Sequence, residues 1–184
     1  MDVLAGKIAR YIRSNHPNPA SEAVLLYSLI HVLNNTLTIV IVLTATLITG
    51  EFWNSLITLF LFAFLRMFSG GVHLQSSTLC SVISAIVIAF VAMSDYAFWP
   101  IGAALTTVAL ILVLIYAPSG LNGYGNLKEK YYPLLKIAAA VIISSNFLIQ
   151  SPLFSSVFFA QTLTIIPWMF RVVYFLEGRK TDET

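Results

Sequence analysis

Long runs of apolar residues, separated by short polar connectors, dominate this chain of 184 residues. Hydrophobic residues make up 58% of the chain and charged residues only 10%, whereas soluble domains average roughly 25% charged residues. A transmembrane helix needs roughly 20 mostly apolar residues. The runs therefore predict an all-α, polytopic transmembrane bundle, and the chain, residues 1–184, is predicted to form one integral-membrane domain.

Six runs are long enough to be predicted as spans. They cover residues 24–48, 52–68, 75–93, 98–117, 134–150 and 153–175, with boundaries uncertain by about 2–4 residues. The segment from Asp2 to Arg13 mixes apolar and basic residues, which predicts an amphipathic helix lying on the membrane surface. No apolar run followed by a cleavage site precedes Glu22, so no cleaved signal peptide is expected.

The positive charges predict the orientation, because the cytoplasmic ends of membrane helices collect Lys and Arg. With six spans and a cytoplasmic N-terminus, all ten basic residues fall on the cytoplasmic side, and the opposite connectors carry none. The ten are Lys7, Arg10, Arg13, Arg66, Lys128, Lys130, Lys136, Arg171, Arg179 and Lys180. Both termini, and any chemistry, are therefore expected to face the cytoplasm. A formal charge of +2 is too small and dispersed to indicate a nucleic-acid partner.

The connector between the second and third spans, together with the residues on either side of it, carries the side chains that could take part in catalysis. Gly70 and Gly71 are predicted to end the second span, since paired glycines accept positive φ. Arg66 falls in the last turn of that span, where a cation complements the helix dipole. Beyond the glycines, one helical stripe carries only polar or reactive residues: His73, Ser77, Cys80 and Ser84. Such a stripe is expected to face the bundle interior or a watery cavity.

Cys80 is the only cysteine in the chain, which excludes an intramolecular disulfide and a cysteine zinc cluster and leaves a free thiol. A cysteine nucleophile needs a base such as an imidazole to take its proton, and His73 is the candidate. Seven residues of continuous helix would separate the two by about 10 Å, beyond the contact of about 3 Å that proton transfer needs. Either His73 precedes the helix and folds back, or the pair is rearranged by substrate or bridged by water.

Each of these residues also has a plain structural interpretation. Cys80 could be a buried packing residue, His73 an interfacial one, and Ser84 a small residue that lets helices approach closely. The alternative function is then a non-enzymatic small membrane protein, such as a transporter or channel subunit. Metal-dependent and aspartyl intramembrane proteases fit worse, because the chain has neither an H-E-x-x-H motif nor two intramembrane aspartates. No metal or cofactor is expected.

The arrangement R-x3-GG-x-H-x6-C-x3-S resembles that of the accessory gene regulator B (AgrB) family, membrane endopeptidases that process quorum-sensing propeptides. Its residues here are Arg66, Gly70, Gly71, His73, Cys80 and Ser84. Two further similarities are Tyr116-Ala117-Pro118 closing a span before a loop with charged residues, and the segment from Glu22 to Tyr27 opening the first span.

The resemblance implies that His73 and Cys80 are catalytic and that Arg66, the glycine pair and Ser84 support them. It implies a small amphipathic, AgrD-like propeptide as substrate, a thioester on Cys80, and release as a cyclic thiolactone or lactone. Lys128 and Lys130 could bind an acidic part of that substrate, or could simply reflect the positive-inside rule. A bacterial cell membrane is the implied location, and a homodimer is left open by analogy alone.

Overall fold

A computed structural model describes residues 2–16, 20–72, 77–120 and 129–176 of the chain. These residues form helices connected by short turns, with no β-strand among them, which confirms the predicted all-α class. In chain order the helices are α1 (Asp2–Asn15), α2 (Glu22–Thr49), α3 (Phe52–Ser69), α4 (Ser77–Ala92), α5 (Ala103–Tyr116), α6 (Tyr132–Ser144), α7 (Asn146–Ile149), α8 (Pro152–Leu163) and α9 (Pro167–Leu176). A wide turn, Phe98–Gly102, leads into α5, and a short one, Glu129–Tyr131, leads into α6.

The predicted count of six spans is higher than the described helices support. Four stretches are long and apolar enough to cross a membrane: Glu22–Thr49, Phe52–Ser69, Phe98–Tyr116 and Glu129–Ile149. Helices α8 and α9 together would make a fifth span, but they are bent by 62° at their junction. The predicted third span contains α4, an apolar helix of 16 described residues that directly follows a segment outside the described ranges. The chain is thus a polytopic helical protein, with four or five candidate spans among its described residues.

The ends of α2 show how local sequence sets these helices. Ser21 accepts a hydrogen bond from the Val24 N–H at 3.4 Å, as an N-cap does. Glu22 in the first turn is paired with Arg13 of α1 at 3.2 Å, and Gly50 ends the helix with φ +74°. α1 is helical, as predicted, and packs against α2. Its placement on a membrane surface stays a prediction.

Two apolar clusters hold the bundle together. The larger one joins α3, α5, α6 and α8, with Leu65, Val113, Ile143 and Phe158 at 0–1% exposure. The smaller one joins α2 and α4 through Val42, Ala85 and Ile88. α2 and α4 therefore lie side by side next to α3, and the face between these three helices carries the polar residues described next.

Candidate active site

A tight turn at Gly70 and Gly71 ends α3. Gly70 has φ +72° and ψ −149°, and Gly71 has φ +143°, a combination that is accessible almost only to glycine. The turn pairs with the segment that follows α5: the Gly71 N–H donates to the Ser119 carbonyl at 2.9 Å, and the Ser119 N–H donates to the Ser69 carbonyl at 3.0 Å. The sequence predicted the helix end, and the structure adds this pairing.

Close approach is the second reason that both positions are glycine. A Cβ on Gly70 would lie 2.0 Å from the Ser119 carbonyl oxygen, and one on Gly71 would lie 2.5 Å from the Thr164 hydroxyl oxygen. Both distances are well inside van der Waals contact. The glycine pair is thus the point where the end of α3, the segment after α5 and the junction of α8 with α9 meet.

Two residues of this junction fix the turn from the other side, and sequence reasoning missed both. Gln161, fully buried in α8, donates from Nε2 to the Gly70 carbonyl at 2.8 Å and to the Ser69 hydroxyl at 3.1 Å. The Val72 N–H donates to the Thr164 carbonyl at 2.9 Å. The signal in the sequence was a lone amide inside an apolar helix, since a buried amide in a membrane needs partners.

Arg66 serves the same segment. Its Nη2 donates to the Val72 carbonyl at 2.5 Å, so the guanidinium bridges the last turn of α3 to the chain just beyond the glycines. The arginine also lines the cavity that contains Cys80. The structure therefore gives Arg66 a positioning role for the turn, besides the helix-end position that the sequence predicted.

A cavity of about 240 Å³ lies between α2, α3 and α4. Its apolar lining consists of Ile39, Leu59, Phe62, Ala63 and Ile88, and its other lining residues are polar or reactive. These side chains are His31, Asn34, Asn35 and Thr38 from α2, Arg66 from α3, and Cys80, Ser81 and Ser84 from α4. The cavity thus brings together Arg66, Cys80 and Ser84, and Cys80 is partly exposed in it.

The α2 side of this cavity carries a histidine. His31 lines the same cavity as Cys80. Its imidazole also stacks edge-on against Tyr27, with ring centroids 4.4 Å apart. Asn34 and Asn35 had no support from the sequence as site residues, because nothing in the pattern showed that α2 would lie against α4.

Comparison with known protein families decides what this arrangement belongs to. The model of the family described as accessory gene regulator B matches residues 5–175, nearly the whole chain. The chain belongs to the accessory gene regulator B family. No curated protein and no solved structure matches it.

Family membership makes the chain a quorum-sensing accessory protein of the membrane, and AgrB proteins are known for propeptide processing. Within this AgrB chain, the other predicted site residues lie outside the described residues or do not line the cavity. Gly70 and Gly71 form the turn at the end of α3, and His73 and Lys128 lie outside the described residues. Lys130 is exposed on the turn before α6, with its ammonium 4.9 Å from the centre of the Tyr131 ring. It does not line the cavity.

The glycine turn gives a direct stability prediction. Gly70→Ala is expected to lower the free energy of unfolding by on the order of 4 kcal/mol, since a Cβ there meets backbone 2.0 Å away. Gly50→Ala is the matched control: φ is +74°, nearly the same, but a Cβ would meet nothing within 4 Å. Its expected cost is only about 1 kcal/mol. Thermal unfolding midpoints of both variants in detergent measure the difference, and equal shifts would contradict the close approach at Gly70.

Proposed function

We propose that this AgrB protein is a membrane cysteine endopeptidase that cleaves an AgrD-like autoinducing-peptide precursor and promotes cyclisation of the product. The observation that carries the proposal is the position of Cys80, the only cysteine of the chain, in a cavity that it shares with Arg66 and Ser84 of its own motif. A partly exposed thiol that shares a cavity with an arginine and a serine is accessible to a substrate, as nucleophilic attack requires.

In the first step His73 takes the proton of the Cys80 thiol, and the thiolate attacks the scissile carbonyl carbon. Collapse of the tetrahedral intermediate breaks the C–N bond, and the protonated imidazole returns its proton to the leaving amine. The C-terminal part of the propeptide departs, and its N-terminal part remains on Cys80 as a thioester.

In the second step a cysteine or serine within the bound peptide loses its proton to the now neutral His73 and attacks the thioester. The acyl group moves to the peptide side chain, the Cys80 thiol is released, and the product is a thiolactone or lactone. Exchange of one thioester for another is close to isoenergetic, so no nucleotide is needed. The intermediate must instead be kept from water, which a cavity between membrane helices favours.

Binding of the propeptide is assigned to two regions. The cavity takes the scissile segment, with Arg66 and Ser84 beside Cys80. Lys128 and Lys130, in the connector between α5 and α6, attract an acidic part of the propeptide. In this proposal the cavity and both termini face the cytoplasm, as the distribution of basic residues predicts.

The test is an assay of the purified protein in nanodiscs with the small amphipathic propeptide encoded beside its gene, followed by mass spectrometry. The expected result is a shortened cyclic peptide together with an acyl adduct on Cys80. Because the chain has one thiol, protein treated with iodoacetamide and freed of the reagent is a control of identical sequence. Undiminished cleavage by the alkylated protein would overturn the proposal.

A further inference from the structure

The side of α2 that faces the cavity is unusually polar for a membrane-spanning helix. His31, Asn34 and Thr38 follow at spacings of three and four residues, so they share one face, and Asn35 lies beside them. Polar side chains are costly within a membrane and are retained where they have partners or a function. In this group, Asn34 contacts Ser81 of the helix that carries Cys80.

The partner of Asn34 is Ser81, the residue next to Cys80. The Ser81 hydroxyl donates to the Asn34 main-chain carbonyl at 2.9 Å and also contacts the Asn34 side-chain oxygen. Ser81 is only 1% exposed, so water does not compete strongly for this bond. Asn34 and Ser81 therefore join α2 to α4 at the level of the thiol.

The position of Cys80 in α4 makes such a contact important. Cys80 lies in α4 directly before Ser81, so the contact of Ser81 with Asn34 is made at the level of the thiol. The buried apolar cluster that Val42 of α2 forms with Ala85 and Ile88 lies one to two turns further along α4. The contact of Ser81 with Asn34 therefore holds α4 against α2 next to the thiol.

We propose that Asn34 is a positioning residue: through Ser81 it fixes the part of α4 around Cys80 and so keeps the Cys80 thiol in place for attack. The inference rests on the proposed function, in which Cys80 is the nucleophile. Misplacing a reacting group by about 1 Å can cost on the order of 100-fold in rate. Asn34 acts through its neighbour and does not itself need to touch the substrate.

The variants Asn34→Ala, Ser81→Ala and the double variant test the proposal by steady-state cleavage in nanodiscs. Ser81→Ala and the double variant are expected to lower kcat by roughly 10- to 100-fold with KM changed less than about 3-fold. Asn34→Ala removes the side-chain contact but keeps the main-chain carbonyl, so its expected loss is smaller, about 3- to 10-fold. Ser81→Thr keeps a hydroxyl and is expected to restore most of the rate. Asn54→Ala is the matched control, because it removes an asparagine hydrogen bond of 2.7 Å to Glu51 at the far end of α3, away from the cavity.

Additivity separates positioning from direct contact with substrate. If Asn34 acts through Ser81, the double variant is as slow as Ser81→Ala within about 2-fold, because Ser81→Ala already removes both the side-chain contact and the hydrogen bond to the Asn34 main-chain carbonyl. Multiplying effects, or a raised KM with kcat unchanged, would overturn the proposal. If Asn34→Ala does not fold, Ser81→Ala and Ser81→Thr are compared instead. Equal cleavage rates of these two variants would also overturn the proposal.

Alkylation by a neutral maleimide distinguishes this proposal from the proposed function, because it needs no propeptide. The only thiol is that of Cys80, so the rate reports on that residue alone. Ser81→Ala and the double variant are expected to be alkylated faster than the wild type by the same factor, at least about 3-fold, and Asn34→Ala by a smaller factor, as the part of α4 around Cys80 loosens. Equal alkylation of all forms counts against Asn34 alone, and absence of cleavage by the wild type counts against the proposed function alone.

Discussion

Replacement of Cys80 with alanine is expected to lower the rate of propeptide cleavage by roughly 10⁴-fold or more, because removal of a nucleophile abolishes the covalent route. The acyl adduct should disappear together with the cyclic product. Cys80→Ser is expected to be nearly as inactive, since a hydroxyl is a far weaker nucleophile than a thiol without a strong base. The measurement is the initial rate of cleavage by mass spectrometry in nanodiscs.

The matched control for this prediction is Thr78→Ala. Thr78 lies in the same turn of α4 but is exposed and does not line the cavity. It is expected to keep the wild-type rate within about 2-fold, because a surface substitution away from such features changes stability by no more than ~0.5 kcal/mol. A Cys80→Ala protein that folds and retains more than a tenth of the wild-type rate would contradict the assignment of the nucleophile.

Replacement of His73 with glutamine is expected to lower kcat by about 10²- to 10⁴-fold, the usual contribution of a general base. Glutamine keeps a polar side chain of similar length but cannot take a proton from the thiol. Alkylation of Cys80 by iodoacetamide at neutral pH should slow as well, because the thiolate is the reactive form. Cleavage rate and alkylation rate of the same preparation are the two measurements.

The structure shows a second histidine that could act as the base, and this histidine provides a comparison for the test. His31 lines the cavity with Cys80, so His31→Gln is expected to lose less than about 10-fold if His73 is the base. His16→Gln, an exposed histidine outside the cavity, is the control for the substitution itself. A larger loss for His31→Gln than for His73→Gln would assign the base to α2 and overturn the motif-based assignment.

Much of the fold could be predicted because the membrane imposes a simple rule. Apolar runs of sufficient length become helices, and every predicted span coincides with a described helix or pair of helices. The single predicted span at 153–175 is instead bent by 62° between α8 and α9. Pro167, which begins α9, has no N–H to continue the hydrogen bonding of α8. The break also leaves the Thr164 carbonyl available to the Val72 N–H.

The site was predictable only where its residues are close in sequence. Arg66, Cys80 and Ser84 are close in sequence, on either side of one turn and along one helical stripe, and in the structure these three line one cavity. The placement of His73 stays a prediction, because it lies outside the described residues. The polar wall contributed by α2 was missed, since periodicity within α2 does not reveal which helix it packs against.

By itself the sequence determined the helical class, the glycine turn and the lone thiol near it, because each depends on local backbone preference or on an apolar run. The tertiary structure decided which distant groups hold that turn and that thiol. Gln161 reaches Gly70 across 91 positions of the chain and Ser81 reaches Asn34 across 47. Contacts of this kind depend on how helices pack in three dimensions, through close approach and satisfaction of buried polar groups, which no local pattern encodes.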